Sequence, residues 1–391
     1  MISEHHNKHT TLIKPDLGNF GRNEWAIVGA PCPAIKLLAD EIISSLSVDY
    51  KCAYVDAVHT KENETIARPG RLASGAIAEY TDRISHHQFD FHQTLHSFQL
   101  RQLLNEADLL LVNGNHQQAK AQVVVIDPEK ENSLRKRMHQ LTQVQLFLLA
   151  DGVEGIFEFV KEALPAWKSI PVYQLSDKTG IISFFRDKMQ TAQPVLNGLV
   201  LAGGKSLRLG SDKGMINWHG TEQRGYMAGL LQPFCKEVFI SCREEQLQAL
   251  NGKYKTITDS FVGLGPYGAI LSAFRQQPNA AWLVVACDLP LLDAAALRFL
   301  VQRRRMAATA TAFESPHDGL PEPLIAIWEP KSYSLLLSFL AQGYSCPRKV
   351  LINSDACILK APSDNVLMNV NTPEDLQLAK EKLKFLSASD H

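Results

Sequence analysis

The chain has 391 residues, room for about two domains at one per roughly 100–200 residues. Apolar side chains make up 45% and charged ones 21%, as in an ordinary globular protein, and 40 basic against 41 acidic residues give no field that would draw nucleic acid or an anionic membrane. No apolar run approaches the ~18 residues of a membrane span, and seven dispersed cysteines without a Cys-x-x-Cys pair speak against a zinc ribbon or a disulfide scaffold.

Residues 1–24 are polar with scattered His and Lys, which reads as a loosely ordered tail rather than a signal peptide, so a reducing cytoplasm is the expected compartment. Trp25 to Gly29 then predicts a buried strand, and Ile35, Leu38 and Ile42 an amphipathic helix behind it. A phosphate-binding P-loop would sit at this turn, but its chemistry is missing. Aligned from Gly29, the second glycine position holds Ala34, the lysine position holds Ile35, and Lys36 comes one step late. Pro31 and Pro33 also remove backbone donors that a phosphate cradle uses.

Further buried strands are predicted at Ala107–Asn113, Val123–Asp127, Leu146–Asp151 and Ile170–Tyr173, and Ile181–Phe185 closes this half as a strand or helix. The cluster His86, His87, His92 and His96 carries metal-ligand spacing if His92 and His96 share a helical face, although no His-Glu-x-x-His pattern accompanies it. The boundary between the halves is expected near residue 190.

Leu199 to Ala202 is the next apolar run, halted by Gly203 and Gly204 and followed by Arg208, Gly210, Asp212 and Lys213. Glycines let backbone N–H groups approach a ligand, and two nearby cations suit a polyanion such as a nucleoside triphosphate. The loop lacks the Gly-Lys-Ser/Thr of a P-loop. Strands are predicted at Val238–Arg243 and Lys255–Asp259, then a glycine-rich turn, Gly263-Leu-Gly265-Pro266-Tyr-Gly268, opens a helix. Ala281–Cys287 is a buried strand ending in Asp288, where an acid points into the ligand crevice of a parallel sheet. Pro321–Trp328 is another strand. The run from Met368 is expected to close the sheet and enter a helix, with Thr372 as N-cap, Pro373 at the first helical position and Asp375 completing a capping box.

Those motifs, in that order, resemble the molybdenum cofactor guanylyltransferases over about residues 191–391: the Gly-Gly loop, Asp212-Lys213, Asp259, Gly265-Pro266, Cys287-Asp288-Leu-Pro290 and Asn369-Val-Asn371-Thr-Pro373. The resemblance implies a Rossmann-like nucleotidyltransferase domain with a mostly parallel sheet. It would transfer GMP from GTP to molybdopterin and release pyrophosphate, with Mg²⁺ held by Asp288. Ala202, Gly203, Gly204, Arg208 and Lys213 would meet the triphosphate and Asp259 the nucleoside; Leu201, Ser241 and Gly265 would also bind the nucleotide, and Asn371 the metal-bound water or the pterin. Ser241 stands where the family often has Asn, and Tyr267, Gly268 and Ala269 stand for Leu, Ala and Gly. Arg348 and Lys349 occupy the family's basic stretch near the molybdopterin phosphate, or form an ordinary surface pair.

Residues 25–190 are similar to the small GTP-binding adaptor of the same pathway, through the strand layout and the segment Arg68-Pro-Gly-Arg-Leu-Ala-Ser-Gly-Ala76, with Asn113-Gly114 in place of Glu-Gly. That likeness implies a P-loop-like α/β domain without an intact P-loop, which does not hydrolyse GTP, and partners among apo-molybdoenzymes or cofactor-insertion chaperones. Cytidylyl or sugar-phosphate transfer, and a non-catalytic cofactor carrier, stand as the alternatives.

Overall fold

The computed structural model describes residues 20–57, 70–202, 213–250 and 252–389, apart from the side chains of 97, 213 and 386–389. They form two compact units, the first from Arg22 to Thr191 and the second from Ala192 onward together with Phe20 and Gly21. Among the described residues no helix is long and apolar enough to cross a membrane.

In the first unit, β1 (Asn23–Val28) leads to α1 (Cys32–Leu46) and β2 (Cys52–Val55). A hairpin of β3 (Ala78–Asp82) and β4 (His87–Phe91) and a short α2 (Ser97–Leu103) precede β5 (Leu109–Asn113) and β6 (Ala121–Ile126). Then come α3 (Glu131–Lys136), β7 (Val144–Leu149), α4 (Glu158–Ala163), β8 (Val172–Gln174) and α5 (Lys178–Thr191). The sheet runs β2-β5-β1-β6-β7-β8, every pair parallel. Covered on both faces, such a sheet has no wet side, which is why β5 reads Leu-Leu-Leu-Val-Asn and is buried throughout. Helix α1 turns Ile35, Leu38, Ala39, Ile42 and Leu46 inward at helical spacing. Against the same face α5 sets Phe184 and Phe185 edge-on to Trp25, with ring centroids 5.9 and 5.1 Å apart.

Two sequence expectations are settled here. The segment Ile181–Phe185 is helix, because Ile181, Phe184, Phe185 and Met189 repeat at helical spacing. The histidine cluster is not helical: His87 lies in β4, paired with Asp82 across the hairpin, while His96 caps α2, so His92 and His96 share no helical face. The alternating apolar and polar order of His87-Gln-Phe-Asp-Phe91 suits a two-residue repeat instead.

The second unit opens with β9 (Leu196–Leu201), α6 (Gln223–Leu231), β10 (Val238–Cys242), a one-turn α7 (Leu247–Leu250) and β11 (Lys255–Thr258). It continues through α8 (Pro266–Gln276), β12 (Ala281–Ala286), α9 (Ala294–Gln302), β13 (Ala310–Glu314) and β14 (Pro321–Trp328). The last elements are α10 (Ser332–Ala341), α11 (Pro347–Ile352), β15 (Cys357–Leu359) and α12 (Pro373–Ser389). The sheet order is β11-β10-β9-β12-β14-β13-β15, with β14 antiparallel to both neighbours and the other pairs parallel. Trp282 and Trp328 face each other in register across β12 and β14, both fully buried. Helix α8 is buried along its length from Tyr267 to Phe274, and the Tyr267 hydroxyl donates to the Leu336 carbonyl of α10 at 2.6 Å.

Met368–Asn371 does not close the sheet as expected. Edge strand β15 does that, pairing parallel with β13, and the later segment is a loop whose Val370 N–H donates to the Asp288 carbonyl at 2.9 Å. The predicted capping box is present: Thr372 N–H donates to Asp375 Oδ2 (2.9 Å), and Asp375 N–H to Thr372 Oγ1 (3.2 Å).

Candidate active site

In the second unit the chain leaves β9 toward β10 on one side and returns as β12 on the other, so the carboxyl ends of β9 and β12 flank a switch in strand order. Open α/β sheets bind ligands at such a crevice. A cavity of about 690 Å³ lies there, lined by Leu201 and Ala202 at the end of β9, Ser241 and Arg243 at the end of β10, and Asp259 after β11. The glycine-rich turn contributes Gly263 and Gly265, and the end of β12 contributes Cys287 and Asp288. A smaller cavity of about 200 Å³ is lined by Asp288, Glu322, Leu324, Arg348, Asn369 and Asn371. Asp288 and Leu324 border both.

Local structure explains these placements. Gly265 caps α8 at φ +56°, a backbone region that strains any side chain, and Pro266 occupies the first helical turn, where a missing N–H costs nothing. Gly268 packs so closely that a Cβ would lie 2.2 Å from the Phe261 carbonyl oxygen, so no larger residue fits unless the turn shifts. Tyr267 fills the adjoining space beneath α10. The departures from the family's Leu-Ala-Gly order are therefore matched by packing.

Ser241 Oγ donates to Asp259 Oδ1 at 2.9 Å, tying the ends of two neighbouring strands. Burial pushes the Asp259 carboxyl above its ordinary range, opposed by the Ser241 hydrogen bond and the Arg243 charge. Arg243 itself pairs with Glu245 at 3.3 Å while its backbone N–H donates to Gln246 Oε1. His219 stacks on Tyr226 with ring centroids 3.7 Å apart and donates through Nε2 to the carbonyl of Pro290, two residues beyond Asp288, at 2.9 Å. Burial lowers the His219 pKa, so the ring is neutral at pH 7.

Of the residues singled out in the sequence, Leu201, Ala202, Ser241, Asp259, Gly265 and Asp288 are brought to the larger cavity, and Asn371 joins Asp288 at the smaller. Gly203, Gly204 and Arg208 lie outside the described residues, as does the side chain of Lys213, whose backbone begins a 3₁₀ turn. Arg348 faces the smaller cavity, bonded to Asp318 (3.1 Å) and Glu322 (2.9 Å), whereas Lys349 does not line it. Sequence reasoning missed Arg243 and Leu324 as cavity residues, and His219 as the support under Pro290. Only Arg243 carried a usable signal, its place at the carboxyl end of a parallel strand.

A mostly parallel α/β sheet with a cavity across its switch point makes the second unit an open α/β fold of the kind that binds ligands at that crevice. Residues 198–357, within the second unit, match the family model of the MobA-like NTP transferase domain. A molybdenum cofactor biosynthesis bifunctional protein of Synechocystis sp. is 34% identical over 209 residues, which are 53% of this chain and only 60% of that protein. A molybdenum cofactor guanylyltransferase of Pseudomonas putida is 29% identical over 197 residues, 48% of this chain and 100% of the relative. The crystal structure of molybdopterin-guanine dinucleotide biosynthesis protein A from Archaeoglobus fulgidus is similar at 23% identity and a TM-score of 0.42, over 48% of this chain and 98% of that one.

Proposed function

We propose that the second unit transfers GMP from GTP to molybdopterin, with the nucleotide in the larger cavity and the acceptor's phosphate entering the smaller one. The observation that carries this reading is the position of Asp288, one carboxylate on the wall of both cavities. A phosphate oxygen of the acceptor attacks the α-phosphorus of GTP, a new P–O bond forms and pyrophosphate leaves. The protein's share is positioning and charge neutralisation.

Ala202 and the following Gly203 and Gly204 supply backbone donors to the triphosphate, with Arg208 and Lys213 as its cations. Ser241 and Asp259 meet the nucleoside. Asp288 fits a magnesium ion: it is a half-buried carboxylate opening on both cavities, and Mg²⁺ asks for one or two carboxylates besides phosphate oxygens and water. Asn371 lies across the smaller cavity as a second oxygen donor. The ion would neutralise charge on the phosphates. The neutral His219 holds Pro290, and with it the backbone that carries Asp288.

For the first unit the reading is an adaptor-like domain that neither cradles nor hydrolyses GTP, serving apo-molybdoenzymes or cofactor-insertion chaperones. In support, Lys36 points to Asp56, at 3.4 Å, and Pro31 and Pro33 flank the start of α1. Calorimetric titration of the full chain with GTP, CTP and UTP in the presence of Mg²⁺ tests the whole proposal. Selective GTP binding that is lost in Lys213→Ala is expected. A preference for CTP would move the assignment to cytidylyl transfer, and no nucleotide binding would leave a cofactor carrier.

A further inference from the structure

At the carboxyl end of the first unit's sheet, three elements converge where a phosphate loop would lie. Cys32 begins the 15-residue helix α1, Asp56 follows β2, and Asn115 and His116 follow β5. Cys32 Sγ lies 3.3 Å from His116 Nε2 and 3.7 Å from Asn115 Nδ2. The same Nε2 is 3.9 Å from Asp56 Oδ1, and the His116 and Asp56 side chains are 9% and 13% exposed. We infer that Cys32 and His116 form a nucleophile–base pair, and that Cys32 is a site of thiol–disulfide exchange with a small disulfide.

The pair has a carboxylate beside it that is itself held by neighbours. Tyr54 donates its hydroxyl to Asp56 Oδ2 at 3.0 Å, and Lys36 Nζ lies 3.4 Å from the same carboxylate. Burial works against ionisation of Asp56, but the hydrogen bonds from the Ala57 N–H and Tyr54, with the Lys36 ammonium nearby, outweigh it and hold the carboxyl below its usual range. The Asp56 carboxylate lies beside His116 Nε2, and Cys32 stands in the first turn of α1, where the helix end carries partial positive charge. Arg137 Nη2 donates to the Asn115 carbonyl at 3.0 Å and so fixes the loop that carries both nitrogens. Other cysteines sit differently: burial pushes Cys52 up to about 11 and Cys235 up to about 12, leaving them as inert thiols. Cys32 is only half-buried, so a small reagent reaches it.

The exchange balances simply. Cys32 passes its proton to His116 Nε2, and Sγ attacks one sulfur of the disulfide. The reagent's S–S bond breaks as the mixed disulfide forms, and the departing thiolate takes the proton. Cys32 is oxidised and one reagent sulfur is reduced.

Reaction of the full chain with dipyridyl disulfide across pH 5–9, followed by mass spectrometry of the labelled peptide, tests this. At pH 6 Cys32 is expected to react at least about tenfold faster than the exposed Cys346, since an ordinary thiol of pKa ~8.5 is almost wholly protonated there. The fast equivalent disappears in Cys32→Ser. In His116→Asn it slows about tenfold at pH 6 and then rises with pH like a common thiol. Retention of the fast thiol in Cys32→Ser, or an unchanged rate and pH profile in His116→Asn, overturns the inference. Should His116→Asn unfold, seen as all thiols reacting at once, Asp56→Asn takes its place: a slowed reaction at pH 6 supports the pair and an unchanged one refutes it.

Discussion

The two units carry open α/β sheets, all parallel in the first and mostly parallel in the second, yet the carboxyl ends of their strands are furnished differently. In the second unit, the ends of β9, β10 and β12 open on a cavity of about 690 Å³ with Ser241, Asp259 and Asp288 on its wall. In the first, the corresponding edge gathers Cys32, His116, Asp56 and Tyr54 into mutual contacts. The architecture supplies the place, and the side chains decide what the place can hold. Where a phosphate cradle needs backbone donors, the first unit has Pro31 and Pro33; where it needs a lysine it has Ile35, and Lys36, one step on, pairs with Asp56.

The sharpest way to break this contrast is to remove the acid of the second site. Asp288→Ala is expected to lower pyrophosphate release from GTP and molybdopterin by ~10²–10³, with the far-UV circular dichroism unchanged. Activity above about a tenth of wild type would show that the cavity's chemistry lies elsewhere. A second test counts sites. Calorimetry of the full chain should give one GTP per chain, and a stoichiometry of two would erase the difference between the units.

Smaller effects sharpen the picture. Gly268→Ala drives a Cβ to 2.2 Å from the Phe261 carbonyl oxygen and should cost ~1–3 kcal/mol in urea unfolding, while weakening nucleotide binding through the Gly265 turn. Removing the Ser241 hydroxyl leaves Asp259 without its 2.9 Å donor, and Ser241→Ala should weaken GTP binding several-fold, by about 0.5–1.5 kcal/mol. The smallest effect concerns pH. Burial raises the Asp259 pKa above its unfolded value, so its contribution to stability is fully present below that unfolded value, ~3.9, and is lost as pH rises through the folded one. Asp259→Asn removes that loss, so its melting temperature should exceed wild type at pH 7, with the gap closing toward pH 4. An equal gap at both pH values would mean that the carboxyl does not titrate between them.

Much of this was legible because the physics is local. The all-apolar run of β5, the helical spacing of α1 and the Thr372–Asp375 capping box each announce themselves within a few residues. The turn at Gly265-Pro266 was readable for the same reason. The three-residue β15 was not, since so short an edge strand takes its identity from pairing with β13. His92 and His96 suggested a helix only on spacing, and the strand order of β4 prevailed. The Cys32–His116 contact joins residues 84 positions apart, and His219 reaches Pro290 across 71, distances over which no sequence pattern speaks.

One backbone hydrogen bond gives the second site its own gauge. Val370 is buried and its N–H is held by the Asp288 carbonyl, so that amide can trade its hydrogen for deuterium only when the loop bearing Asn369 and Asn371 lifts from the end of β12. Its exchange rate therefore reads the opening of the smaller cavity's Asn369–Asn371 side, independently of turnover.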